Sequence, residues 1–141
     1  MPSVSAEQLG GLADLTQGFD RLYGLQLLSC SDTDVSAQVA VREEVKQPAG
    51  LVHGGVYAAI AEAITSLATA VAVHEQGEIA MGLSNHTSFL RPITEGTVHA
   101  HATRLHRGRT TWVWDVRFSD DAGHTCAVTR MTIAVRSANR V

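Results

Sequence analysis

The sequence predicts an α+β domain in which an antiparallel β-sheet wraps around one long central helix. Three observations carry that prediction. The stretch GLVHGGVYAAIAEAITSLATAVAVHEQG, Gly50 to Gly77, is apolar nearly all round (Val56, Tyr57, Ala58, Ile60, Ala61, Ile64, Leu67, Ala68, Val71), as a buried helix is. From residue 79 onward the apolar period changes to two, the period of a strand. The elements read as short helix, two strands, long helix, four strands, and strands segregated around one helix favour an antiparallel sheet.

Each element has a local reason. Residues 6–21 (AEQLGGLADLTQGFDR) predict a short helix weakened by its glycines, and residues 22–29 and 34–42 predict a strand pair. In the second of these, Val35, Ala37, Val39 and Val41 alternate with small or polar residues. The loop EEVKQPAG is punctuated by Pro48 and Gly50. The long helix follows, with Gly77 as its C-terminal stop. It is about 23 residues, enough to span a bilayer. A mid-run glutamate, abundant alanine and the opening Gly-Gly argue instead for the central helix of a sheet, with no membrane partner. Strands are predicted at 79–90, 96–107, 110–119 and 124–136, with Trp112, Trp114, Val116 and Phe118 sharing one face. DDAG at 120–123 is a turn between the last two.

The chain of 141 residues reads as a single domain, 1–141, long enough to bury a core without staples. A net charge of −3 gives no broad basic surface and excludes nucleic acid as an expected partner. The start MPSVSAEQLG has no basic n-region and no apolar h-region, so no signal peptide is expected. Two cysteines, Cys30 and Cys126, stand far apart in no metal or redox spacing, which suits a reducing cytoplasm.

The chemistry centres on Glu62. A lone carboxylate in a helix read as buried is expensive unless it is paired, hydrogen-bonded or protonated. That cost makes Glu62 a candidate general base or nucleophile; the alternative is a carboxylate tied to a nearby backbone group or arginine. Ser66, four residues on, faces the same way and could hold a water beside it, or could be a small residue in a crowded contact. Gly54 and Gly55 open the helix, where the first N–H groups have no internal partner and the dipole is positive. A bound oxygen atom could be polarised by the Gly54 N–H. His99 and His101 share a strand face, but two ligands make no metal site, and a solvent or interface face is expected. No metal is expected.

GLVHGGVYAAIAEA, SNHTSFLRP, GRTTWVWDV and DDAGHTCAV, over about Gln47 to Arg136, resemble the hotdog-fold acyl-CoA thioesterases, nearest the Arthrobacter-type 4-hydroxybenzoyl-CoA branch. The resemblance implies the hotdog fold and hydrolysis of an aromatic acyl-CoA to the free acid and coenzyme A. Coenzyme A would be part of the substrate, with no separate cofactor. Related aryl esters, phenylacetyl- or dihydroxynaphthoyl-CoA, stay open, as do a hotdog dehydratase and a non-catalytic acyl-CoA binder. By resemblance Glu62 matches the family acid, Gly54 the carbonyl-polarising glycine, Gln47 and His53 the pocket residues beside it, and Ser66 a threonine. His53 alone could equally be a helix-start residue. Arg91 matches a nucleotide-contacting arginine and Thr110 a hydroxyl contact. Arg109 stands where the family has a serine and is expected, on charge alone, to meet a phosphate. In the tail, RSANRV, Arg136 and Arg140 supply the charge.

Spacing adds an expectation about assembly. Gly54 and Glu62 are eight residues apart, about 12 Å along one helix. One chain therefore cannot easily bring both to one thioester. Two helices antiparallel about a two-fold axis near Ala58 would place each Gly54 beside the other chain's Glu62. A homodimer with two shared sites is expected, paired again into a homotetramer as in the resembling enzyme.

Overall fold

The computed structural model describes residues 17–140 together with the short strand β1, Val4–Ser5. The elements are α1 (Phe19–Leu22), β2 (Gln26–Cys30), β3 (Asp34–Ala40), α2 (Gly54–Val73), β4 (Glu78–Phe89), β5 (Thr97–Arg107), β6 (Thr111–Ser119) and β7 (Thr125–Ser137). All seven strands join one antiparallel sheet in the order β1–β2–β3–β5–β6–β7–β4. Apart from the two-residue β1, this is the six-stranded hotdog sheet, and α2 contacts every strand from β3 to β7. The hotdog fold expected from the sequence is the fold observed.

The core lies between α2 and the sheet. Val35, Ala37 and Val39 of β3, Val98, Ala100 and Ala102 of β5, and Trp112, Trp114, Val116 and Phe118 of β6 point inward. They meet Tyr57, Ile60, Ala61, Ile64, Ala68 and Val73 of α2. Each large side chain buried this way contributes about 1.5–3 kcal/mol. Two threonines in the same helix face are fully buried and satisfied. Thr69 donates to the Thr65 carbonyl at 2.8 Å and accepts from the Trp114 indole N–H at 3.0 Å.

The helix starts and stops for identifiable reasons. His53 is its N-cap, and its imidazole Nδ1 accepts the Gly55 N–H at 2.8 Å. At the other end a 3₁₀ turn, His74–Gln76, closes at Gly77, whose left-handed backbone (φ 69°) favours glycine. The DDAG turn forms as expected: the Asp120 carboxylate accepts the backbone N–H groups of Ala122 and His124.

Three expectations are corrected. The strand expected at 22–29 begins only at Gln26, because the chain turns at Gly24 (φ 81°) and buries Tyr23 and Leu25 against the core. Of the helix expected over 6–21, the described residues show only Phe19–Leu22, and residues 6–16 lie outside the described part. The long helix is also not buried all round. Gly54–Gln76 is long and apolar enough to cross a bilayer, yet one face packs on the sheet while the other is only half-buried in the single chain and carries the exposed Glu62.

That open face adjoins an open edge. Strand β4 pairs with β7 on one side only, and Met81, Leu83 and Phe89 are 40–59% exposed along it. A long apolar edge strand is a template for pairing with another chain. The Asn85 side-chain amide donates to the Ala58 carbonyl at 2.9 Å, tying the middle of β4 to the middle of α2.

Candidate active site

Two clefts flank α2, and the expected catalytic residues divide between them. The first, about 460 Å³, lies at the helix start and is lined by Gln47, Gly54, Tyr57, Phe89, Arg91 and Cys126 among others. The second, about 540 Å³, lies further along and contains Glu62 and Ser66. Eight residues at about 100° each also leave the two groups about 80° apart around the helix axis. One chain therefore keeps Gly54 and Glu62 apart, as the spacing predicted.

The first cleft is built from the turn before the helix and the end of β4. Gln47 anchors that turn: its N–H donates to the Leu51 carbonyl at 2.8 Å, and its carbonyl accepts from Gly50 at 2.9 Å. Its side-chain oxygen accepts the Ala49 N–H, so the amide NH₂ has no partner among the described residues. The His53 N–H donates to the Val45 carbonyl and the Val52 N–H to the Ile93 carbonyl, which fixes the entry to α2. Nδ1 of His53 serves the helix cap, and its Nε2 is not used by it.

Both glycines are explained by close approach. A Cβ on Gly55 would stand 3.0 Å from the capping His53 Nδ1, and one on Gly54 would stand 2.9 Å from Cζ of Phe89. Among the described residues nothing accepts from the Gly54 N–H. It is a donor at the positive end of a 20-residue helix, framed by the Phe89 ring and by Tyr57, whose rings lie 6.0 Å apart. Burial pushes the Tyr57 phenol up to about 12, with the nearby Cys126 adding to it, so it stays a neutral hydroxyl.

In the second cleft Glu62 is exposed rather than buried, which corrects the reasoning that first singled it out. Its carboxylate lies over Gly82 of β4, where a Cβ would come within 3.2 Å of Oε1. No described residue hydrogen-bonds or ion-pairs with it, so the alternative of a carboxylate tied to backbone or arginine is not what forms. Ser66 Oγ is buried and has no hydrogen-bond partner among the described residues.

The residues expected at the nucleotide end fall into two groups. Arg91 is exposed just beyond β4, its N–H bonded to the Cys126 carbonyl at 3.0 Å. Arg109 and Thr110 sit in the β5–β6 hairpin, where the Thr110 carbonyl accepts from the Arg136 guanidinium at 2.7 Å and the Val135 N–H at 2.9 Å. Arg136 pairs with Ile79 at the far end of β4. Twelve residues of strand separate the groups by about 36 Å. Within one chain Arg91 therefore cannot share a ligand phosphate with Arg109, Thr110 and Arg136. His99 and His101 lie on the outer sheet face, each against an aspartate, Asp121 at 2.7 Å and Asp34 at 3.1 Å.

Sequence reasoning placed Tyr57 only in the core and passed over Phe89 and Cys126, which wall the Gly54 cleft. For Phe89 the signal was present, since it stands in SNHTSFLRP two residues before Arg91.

Known proteins carry the same framework. The chain is similar to a thioesterase from Pseudomonas aeruginosa, 33% identical with a TM-score of 0.85, covering 94% of each chain. It is also similar to a thioesterase from Haemophilus influenzae, 30% identical with a TM-score of 0.85, covering 96% of this chain and 92% of that one. A 1,4-dihydroxy-2-naphthoyl-CoA hydrolase of Listeria monocytogenes is 32% identical over 87% of this chain and 99% of its own. The family model described as Thioesterase superfamily matches residues 49–127, which hold Gly54, Glu62 and the strand that lies beside both; the chain belongs to that superfamily.

Proposed function

We propose that the protein hydrolyses an aromatic acyl-CoA thioester, of the 4-hydroxybenzoyl or dihydroxynaphthoyl kind, to the free acid and coenzyme A. One observation carries the reading: a single helix offers an N–H at its start and a carboxylate two turns on, both without a partner among the described residues and in separate clefts. A two-fold axis near Ala58 joins the clefts into two complete sites. The open edge of β4 supports that axis, because Asn85, near the middle of that strand, donates its side-chain amide to the Ala58 carbonyl. The same axis carries Arg91 of one chain toward the hairpin of Arg109 and Thr110, and toward Arg136, of the other, so the separated cations meet around one coenzyme A. The similarity to the Listeria hydrolase supports an aromatic acyl group. By resemblance two such dimers pair into a tetramer, and the buried free thiols of Cys30 and Cys126 suit a reducing cytoplasm.

The chemistry follows from these groups. The Gly54 N–H, aided by the helix dipole and the free amide of Gln47, binds the thioester oxygen and stabilises the charge that develops on it. The partner's Glu62 either attacks the acyl carbon, giving a mixed anhydride that water then cleaves, or removes a proton from water that attacks directly. In both routes the C–S bond breaks, coenzyme A leaves as the thiol and the acid is released. Ser66 Oγ, unpartnered beside Glu62, holds the water. Oxygen-18 entering Glu62 during a single turnover in labelled water marks the anhydride route.

Glu62→Gln tests the reading. It keeps the shape and removes the charge, so turnover of benzoyl-CoA should fall at least about a hundredfold with the fold intact. Free thiol released from benzoyl-CoA, measured beside hydration of crotonyl-CoA, separates hydrolysis from dehydratase chemistry and from mere binding. Near-normal hydrolysis by a folded Gln variant removes Glu62 from the mechanism.

A further inference from the structure

The cleft at the helix start contains one polar group that the hydrolysis leaves unused, the hydroxyl of Tyr57. Tyr57 lines that cleft one turn after Gly54 and is 4% exposed. Its ring stands edge-on to Phe118, centroids 5.2 Å apart, with the Phe89 ring 6.0 Å away, so the hydroxyl is held in one place. Helical side chains lean toward the N-terminus, which carries the hydroxyl back toward the Gly54 turn. It bonds to no described residue, yet it is not sealed off from the cleft. The neighbouring polar side chains offer it no good acceptor. The Cys126 thiol, close enough to act on the phenol, donates to the His124 carbonyl at 3.3 Å, and sulfur is a weak acceptor. The Cys126 carbonyl already takes the N–H groups of Leu90 and Arg91 at 2.8 and 3.0 Å. The Gln47 side-chain oxygen takes the Ala49 N–H, and Arg91 has donors only. The cleft therefore presents a row of donors: the Gly54 N–H, the Gln47 amide, the Tyr57 hydroxyl and the Arg91 guanidinium.

We propose that Tyr57 binds the thiol arm of coenzyme A, its hydroxyl donating a hydrogen bond to the carbonyl of the amide nearest the sulfur. This rests on the thioesterase reading above and deepens it, because that reading already gives the other donors their partners. The thioester oxygen goes to Gly54 and Gln47, and a phosphate goes to Arg91. Tyr57 stands between those ends. Its ring lies beside Phe89, which covers Gly54, and its hydroxyl nears Cys126, whose carbonyl holds Leu90 and Arg91. What runs between a thioester and a phosphate in coenzyme A is the arm, with methylene and amide groups in turn. Leu51, Val52, Leu90 and Pro92 suit the methylenes. An arm that fills the cleft strips water from the hydroxyl, and a desolvated donor without an acceptor is costly. The amide carbonyl replaces that water. Burial pushes the phenol up to about 12, so it remains a donor throughout the neutral range.

The test uses the full-length protein and a set of benzoyl thioesters without the nucleotide. The N-acetylcysteamine ester has the amide, a ketone isostere keeps the carbonyl but lacks the amide N–H, and the pentanethiol ester lacks both. Tyr57→Phe keeps the ring and removes the donor. It should lower kcat/KM about 3- to 10-fold for the amide and ketone esters, the worth of one neutral hydrogen bond, and leave the pentyl ester unchanged. Affinity for S-phenacyl-CoA, a ketone analogue that cannot be hydrolysed at the C–S bond, should fall by the same factor, and this measurement decides where the short esters turn over too slowly. An equal loss on every ester, the pentyl ester included, would place the hydroxyl at the thioester or in the fold and overturn the proposal, as would no loss on any. Should Tyr57→Phe not fold, wild type decides: a ketone ester matching the amide ester and exceeding the pentyl ester supports the bond, and one no better than the pentyl ester overturns it. Hydrolysis by wild type with no effect of Tyr57→Phe overturns the inference alone. S-phenacyl-CoA binding weakened by Tyr57→Phe, with no hydrolysis of benzoyl-CoA by wild type, overturns the thioesterase reading alone.

Discussion

Two inactive variants refolded together should give back activity. Glu62→Ala removes the acid. Gly54→Val fills a space in which even a Cβ would stand 2.9 Å from Cζ and 3.0 Å from Cε1 of Phe89, so the ring or the helix start must move and the N–H is lost to the ligand. Each homodimer then has two dead sites. In a mixed dimer the two defects fall in one site and the other site has both wild-type groups. Random pairing gives about half mixed dimers, each with one good site of two, so about a quarter of wild-type activity is expected. Side-chain reach sets this outcome. Eight residues of helix put the two Cα atoms about 12 Å apart, and a glutamate side chain leaning toward the N-terminus recovers only a few ångströms. The assay unfolds the two chains in urea, mixes them at equal concentration, refolds them, and follows thiol release from the best aryl-CoA ester. Mass spectrometry under native conditions counts the mixed dimers. Mixed dimers present at about half of the total, with no activity above either parent, would mean that each chain completes its own site, and the two-fold argument would be wrong.

Other outcomes follow from single contacts. Arg91→Ala should raise KM for coenzyme A esters more than it lowers kcat, because Arg91 is exposed and unpaired among the described residues, free to meet a phosphate; an unchanged KM makes it structural. Thr69→Val leaves the fully buried Trp114 N–H without its acceptor at 3.0 Å, and should cost about 1–3 kcal/mol in urea unfolding at fixed protein concentration. Burial pushes the Cys30 thiol up to about 11 from a usual value near 9. The unfolded chain therefore loses this proton first, and stability that is complete below pH 9 falls as pH rises toward 11. Cys30→Ala should flatten that part of the stability curve, measured by unfolding at a series of pH values; an unchanged slope would show that other groups dominate it.

The sequence by itself determined the faces and punctuation of this fold. Alternation in TTWVWDVRF put Trp112, Trp114, Val116 and Phe118 on the buried side, because side chains of a strand point to opposite faces in turn. Gly77 ended the helix and DDAG turned the last hairpin, because both depend on backbone chemistry within a few residues. The eight-residue interval from Gly54 to Glu62 fixed their separation, since helix rise is the same everywhere. Long-range placement lay beyond it. Local pattern does not say which strands become neighbours, so nothing in β4 announced that it would pair with β7 and leave its other edge open. For the same reason Arg91 and the hairpin of Arg109 and Thr110, both legible as motifs, turned out to stand at opposite ends of the sheet. Burial was misread at Glu62 because an apolar helix surface has two possible covers, the chain's own sheet or another chain, and composition cannot tell them apart. Tertiary structure decided that the sheet takes the face of Tyr57, Ile60 and Ile64, and that Glu62 is left on the other.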